Sequence, residues 1–201
     1  MLRIKSSALF PLVLLLALSA PRQVASHSEV SLNFTGNFQA QATGRGVTDT
    51  ASASGGVLAS YRYHFNSWSA IEINYGHSRF TGYYTPAVTH TQSNADEITA
   101  AYVNTLGRPT SVRLGPFVEL GTGALIFTPI AAGSSVGALR QSRPVLLFGG
   151  GIDWRALPHL SVRIGYRGLV YQAPDFGVAG QQTTDAATAM SEPYFGVAVR
   201  F

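Results

Sequence analysis

The chain has 201 residues and is 46% hydrophobic but only 12% charged, against about a quarter in ordinary soluble proteins. It contains no cysteine, which excludes disulfides, thiol chemistry and cysteine-bound metals. Setting aside Arg3, Lys5 and Arg22 leaves 11 basic residues, all arginine, against ten acidic ones. The formal charge of +4 therefore belongs mostly to the N-terminus, and the scattered arginines form no patch for nucleic acid.

The N-terminus reads as a secretory signal peptide. Arg3 and Lys5 precede an apolar stretch from Ala8 to Leu18 that only Pro11 interrupts. Pro21 disfavours cleavage after Ala20, so cleavage is expected after Ser26, with Val24 and Ser26 as the small flanking residues. The expected division is 1–26 as signal peptide and 27–201 as one domain. The apolar stretch is short for an uncleaved anchor, and no later apolar run reaches the roughly 20 residues of a membrane helix.

From Glu29 onward the dominant signal is alternation with period two. Strands are expected at 29–39, 56–65, 69–80, 96–106, 112–126, 144–154, 160–171 and 193–201. The first sets Val30, Leu32, Phe34 and Phe38 against Glu29, Ser31, Asn33, Thr35 and Asn37. The second sets Val57, Ala59, Tyr61, Tyr63 and Phe65 against Ser60, Arg62 and His64; the third sets Ile71, Ile73 and Tyr75 against Glu72, Asn74, Gly76 and Ser78. The fourth is weaker, with Ile98, Ala100 and Tyr102 opposite Glu97, Thr99 and Thr105. In the fifth, Leu114, Pro116, Val118 and Leu120 oppose Arg113, Gly115, Glu119, Gly121 and Gly123; in the sixth, Leu146, Phe148, Ile152 and Trp154 oppose Gly149, Gly151 and Asp153. The seventh sets Leu160, Val162, Ile164, Tyr166 and Val170 against Ser161, Arg163, Gly165 and Arg167, and the last sets Phe195, Val197, Val199 and Phe201 against Tyr194, Gly196, Ala198 and Arg200. The connections alternate: tight at 66–68, 107–111 and 155–159, long at 40–54, 81–95, 127–143 and 172–192.

This pattern predicts an all-β fold, an eight-stranded antiparallel up-and-down transmembrane β-barrel. The apolar face is too bulky for an eight-stranded lumen, while the polar face is rich in glycine. Bulky residues outside and small ones inside mean that the outside meets lipid. The barrel must then close, because an open edge cannot be satisfied in hydrocarbon. Alternating short and long connections fit periplasmic turns and extracellular loops. The inward charges predict a lumen network of Arg62, Glu72, Arg113, Glu119, Asp153, Arg163 and Arg167. Register guesses pair Arg62 with Glu72 and Asp153 with Arg163, and close the barrel with Glu29 and Arg200. Such a lumen is a plug. Tyr63, Phe65, Trp68, Trp154 and Phe201 collect at one end as an aromatic girdle.

Three stretches carry a resemblance: GGVLASYRYHFNSWSAIEINYGHS at 55–78, FGGGIDWRALPHLSVRIGYR at 148–167 and the terminal PYFGVAVRF. Together they resemble the small outer-membrane barrels related to outer-membrane protein A and the opacity proteins. The resemblance implies a porin-like integral protein of the bacterial outer membrane and cell envelope. It also makes Phe195, Val197, Val199 and Phe201 the signal read by the barrel-assembly machinery. Periplasmic chaperones, outer-membrane lipid and an unidentified surface ligand are the expected partners, and nucleic acid is not.

No catalytic site emerges. His77 and Ser78 are adjacent on a strand and so face opposite ways. Asp96, Glu97 and His90 gather acidic and imidazole groups near the outer rim, but the barrel is too small for an omptin-like protease. The five histidines lack metal-ligand spacing. Gly149-Gly150-Gly151 lies within a strand and lacks the lysine and helix of a phosphate loop. The expectation is therefore a non-enzymatic barrel without cofactor, serving membrane integrity or surface contact. The alternative is passive transport of a small apolar molecule.

Overall fold

The computed structural model describes residues 27–106, 113–134, 137–178 and 182–201. The expected signal peptide and the 107–111 turn lie outside them. The described residues form ten strands: β1 (Ser28–Gln39), β2 (Ala42–Gly44), β3 (Val47–Ala51), β4 (Ser54–His64), β5 (Ser69–Thr85), β6 (Thr89–Thr105), β7 (Leu114–Ser134), β8 (Gln141–Leu157), β9 (Leu160–Gln172) and β10 (Ala187–Arg200). All but β2 and β3 build a closed antiparallel barrel in which each strand pairs with the next, β4 with β1, and β10 closes on β1.

The closure is staggered. Cross-strand register partners followed from Ser78 run through Gly56, Thr35, Tyr194, Gly165, Gly151, Phe117 and Thr105. Thr105 then donates its amide to the Trp68 carbonyl. One circuit thus returns to β5 ten residues lower, from Ser78 to Trp68. With eight strands, that stagger tilts the strands by about 40° to the barrel axis.

The strands outrun their expected lengths at the end away from the termini, here the outer end. The segment 81–95 is mostly a paired hairpin, with residues 86–88 at its tip. β7 and β8 continue to Ser134 and from Gln141, and β10 starts at Ala187 rather than Pro193. These added lengths, rich in Thr, Ser, Asn and Ala, have no continuous apolar outward face, so period two fades although backbone pairing continues. Pro193 hides its strand for a second reason. It lacks an amide donor, and the β1–β10 ladder is interrupted there, between Thr35–Tyr194 and Phe38–Ser191. Within 40–54, β2 and β3 form a hairpin turned by Arg45 and Gly46, both at positive φ (49° and 76°). A two-residue turn with positive φ at both positions matches the twist of the strands it joins. β3 also pairs with the outer end of β5, extending the wall.

Faces sort as the barrel requires. Phe34, Tyr61, Ile73, Leu120, Phe148, Ile164, Phe195 and their neighbours face outward and are exposed, whereas the inward positions of the same strands are buried. Inward glycines leave width for large lumen side chains. A Cβ on Gly165 would overlap the ring of Tyr194.

Candidate functional site

The lumen holds three layers. The one nearest the termini is ionic, and every strand contributing to it does so through its period-two inward face. Arg62 on β4 faces Glu72 on β5 at 2.6 Å and reaches Asp153 on β8 at 3.2 Å. Arg163 on β9 holds Asp153 at 2.6 and 2.9 Å and Glu72 at 3.2 Å, and also bonds Glu29 on β1. Arg200 on β10 reaches Glu29 at 3.0 Å. Three guanidiniums thus meet three carboxylates. The Phe117 ring lies 4.5 Å from the Arg62 guanidinium and 5.3 Å from that of Arg163. Stacked, hydrogen-bonded arginine is the form of cation that tolerates such burial.

The middle layer centres on Arg167 of β9. It bonds Glu192 of β10, with Nε at 2.9 Å, and Glu97 of β6 at 2.7 Å. Its guanidinium lies 6.0 Å from the Tyr194 ring, and the Tyr194 hydroxyl points to Glu119 at 3.5 Å. A small cavity bordered by Thr35, Asn37, Glu97, Met190 and Glu192 separates this layer from the next.

The outer layer is apolar. Phe80, Tyr84, Leu125, Phe127, Val145, Leu147, Leu169, Tyr171 and Met190 pack inside the wall, and Val47 and Phe176 close over them from the outer connections. Phe127 packs edge-on against Phe80 and Phe176. Asp49 of β3 is buried at the edge of this layer. It accepts a hydrogen bond from Gln39 at 3.2 Å, while Gln39 accepts one from Tyr171 at 2.9 Å. Burial pushes the Asp49 carboxyl up to about 7, against the opposing effect of the Gln39 bond.

The wall is closed and eight-stranded, apolar outside and charged inside. The family model for the outer membrane protein beta-barrel domain matches residues 10–201. The chain belongs to that family. The barrel is accordingly an integral protein of the bacterial outer membrane, and barrels of this kind place short turns in the periplasm and long connections outside. No curated protein matches the chain. Among solved structures, Neisserial surface protein A is 17% identical with a TM-score of 0.62, covering 89% of this chain and 100% of that one. OprG of Pseudomonas aeruginosa is 12% identical with a TM-score of 0.64, covering 88% and 96%. The N-terminal barrel domain of OprF, from the same organism, is 18% identical with a TM-score of 0.51, covering 88% and 98%. At these identities the likeness is one of fold.

The lumen candidates are not all brought together. Arg62, Glu72, Asp153 and Arg163 form one ionic layer with Glu29 and Arg200, and Arg167 and Glu119 lie in the next. Arg113 does not join the network. It sits exposed just before β7 at the periplasmic rim and makes no ion pair among the described residues. At a strand end, period two no longer dictates an inward direction. Two carboxylates outside the expected network join it, Glu97 and Glu192. Glu97 shares the inward face of Thr99 but lies in the strand with the weakest alternation, and Glu192 falls just before Pro193. The period that places Tyr194 inward also places Glu192 there. The barrel wall divides the rim candidates: Glu97 and Ser78 face the lumen, whereas Asp96 and His77 face outward. Tyr84, which falls in the expected long connection 81–95, is a core residue. Phe195 and Val197 face outward on β10, and Phe201 exchanges backbone bonds with Ser28 at 2.9 and 3.2 Å.

Proposed function

We propose that this barrel is a non-enzymatic structural protein of the outer membrane that makes surface contacts through its outer end. One observation carries the reading: three successive layers of side chains occupy the lumen, with only a small cavity between the middle and outer ones. Arg62, Arg163 and Arg167 are each at most 2% exposed, and the layer of Phe127, Phe176 and Tyr84 lies above them. An eight-stranded barrel has little width beyond what such side chains occupy. The wall above the membrane is stiffened by the β5–β6 hairpin and by β2–β3, and it presents Tyr83, Val88 and Leu139 to solvent. Apolar tips on a rigid rim suit contact with a protein or envelope surface. Chaperone delivery and assembly through Phe195, Val197, Val199 and Phe201 belong to the same proposal.

Recording of the purified protein in planar bilayers tests it. Silence at neutral pH is expected. Steady, large openings would overturn the plug and favour passive transport of a small solute.

A further inference from the structure

The lipid-facing surface of β5 and β6 changes character early. Its outward cross-strand pairs run Ile71–Tyr102, Ile73–Ala100, Tyr75–Ile98, His77–Asp96 and Arg79–Asn94. The apolar series stops at Tyr75, six residues above Ser69 where β5 begins. On β1 and β9 it continues further from the periplasmic end: to Phe38, ten residues above Ser28, and to Val170, ten above Leu160. A tilted strand climbs about 2.5 Å per residue, so His77 and Arg79 sit about 20–25 Å above the start of β5, at the outer edge of an apolar band about 25 Å tall. Charged side chains facing lipid are costly unless a polar group meets them there.

The side chains at this edge are held in place. Asp96 Oδ1 accepts the Tyr75 hydroxyl at 3.0 Å and lies 2.8 Å from His77 Nδ1. That bond orients the imidazole and turns Nε2 away from the carboxylate. Arg79 donates Nε to Asn94 Oδ1 at 3.0 Å, and its two Nη groups have no protein partner among the described residues. The arrangement presents a guanidinium fork and an imidazole edge two residues apart on one strand face, about 7 Å between their Cα atoms. An imidazolium held between two anionic acceptors donates from both nitrogens, so His77 and Arg79 at that spacing match the oxygens of a phosphate, and an arginine fork is the side chain best shaped to hold one.

We propose that Arg79 and His77, positioned by Asn94 and Asp96, bind the phosphate of a phosphorylated glycolipid in the outer leaflet. The acyl chains would run down the apolar face of Tyr75, Ile73 and Ile98. The bound lipid neutralises Arg79 at the membrane edge and fixes the height of the β5–β6 hairpin.

Native mass spectrometry of the folded protein in detergent tests the proposal with four probes: diphosphorylated lipid A, its dephosphorylated form, a zwitterionic phospholipid and inorganic phosphate. The wild type should retain diphosphorylated lipid A over the dephosphorylated form and the phospholipid. Arg79→Gln should lose about tenfold of that retention, the loss of one charge-assisted pair. Arg45→Gln, which removes an exposed arginine paired with Asp185 in the outer hairpin, should retain wild-type binding. Heat-modified gel mobility confirms folding of each variant. Should Arg79→Gln fail to fold, His77→Gln carries the test, with a loss of about threefold expected. Equal retention by wild type and the folded variants, or an equal loss in Arg45→Gln, would overturn the site. Retention of the dephosphorylated lipid as strong as that of lipid A would remove the phosphate. Inorganic phosphate displacing lipid A at equal concentration would make this a free-phosphate site and overturn the lipid assignment.

Discussion

Arg163→Met is the sharpest perturbation of the lumen. Arg163 is 1% exposed and touches three carboxylates, those of Asp153, Glu72 and Glu29, as well as lying against the Phe117 ring. Methionine keeps much of the bulk but removes the charge. The layer then holds three carboxylates against Arg62 and Arg200, and Arg200 is the more solvent-exposed of the two. Stranding a buried charge in this way costs about 3–5 kcal/mol. With a urea slope of about 2 kcal/mol per molar, the unfolding midpoint should fall by roughly 2 M. Trp68 and Trp154 sit at the periplasmic end, so their fluorescence in detergent follows the transition, with heat-modified gel mobility as a second probe. Adding Glu72→Gln to Arg163→Met removes one stranded charge and should recover part of the loss, a coupling of about 1–2 kcal/mol. A drop below about 1 kcal/mol for Arg163→Met, or no recovery in the double variant, would refute the view that this layer is a mutually compensated ionic core.

Arg113→Met should change stability by less than about 0.5 kcal/mol in the same titration, because the side chain is exposed at the rim. Asp49 predicts a pH effect with a definite sign. Its folded carboxyl is raised to about 7, so its contribution to stability is fully present below the usual carboxylate range and is lost as pH rises towards 7. Hydrogen exchange along β3 should therefore quicken between about pH 4 and 7 by more than the intrinsic rate change, and Asp49→Asn should remove the excess. Gly165→Ala should destabilise the barrel by about 1–3 kcal/mol through its overlap with the Tyr194 ring, and Tyr194→Leu should relieve it, as read by urea midpoints. Deletion of Phe201 removes the exchange with Ser28 that seals the β1–β10 seam; assembled protein in outer-membrane fractions should fall, and unchanged levels would argue against a C-terminal assembly signal.

The membrane-spanning part of the fold was legible because lipid enforces the pattern. Phe34, Ile73, Leu120 and Ile164 must point out, so period two is strict between the girdle and the outer edge. Above that edge both faces meet water or loops. The outer lengths of β5, β6 and β10 accordingly read as loops in the sequence but pair as strands. The ionic residues Arg62, Glu72, Asp153 and Arg163 could be found because short turns bring their strands together within a few residues, and a turn centre fixes the register. Glu192 sits directly opposite Arg167 on the neighbouring strand, but the long β9–β10 connection leaves that register unfixed in the sequence, and Glu97 reaches Arg167 only across the lumen, through the ten-residue stagger of the closed wall. No local pattern encodes that distance. The apolar outer layer was hidden for the same reason: Phe80, Phe127, Tyr171 and Phe176 come from different strands and a connection, and each alone resembles an ordinary loop or strand residue.

The order of the layers explains why the lumen can be both charged and closed. At the periplasmic end, adjacent strands supply arginine and carboxylate in register, so each charge finds a partner without crossing the barrel. In the middle, Arg167 must span the lumen to reach Glu97, and inward glycines such as Gly165 leave it and Tyr194 the width to do so. At the outer end the wall rises beyond the membrane and must exclude water from above. There an apolar cap of Phe127, Phe176 and Tyr84, covered by Val47 of the β2–β3 hairpin, does so by apolar packing, with Arg143 and Asp175 paired at its edge. The cap also excludes water from the ionic layers below, and the lower polarity of that space strengthens every bond within them. Loosening the hairpin therefore weakens the seal at the outer rim first, while the paired arginines still hold the periplasmic half closed.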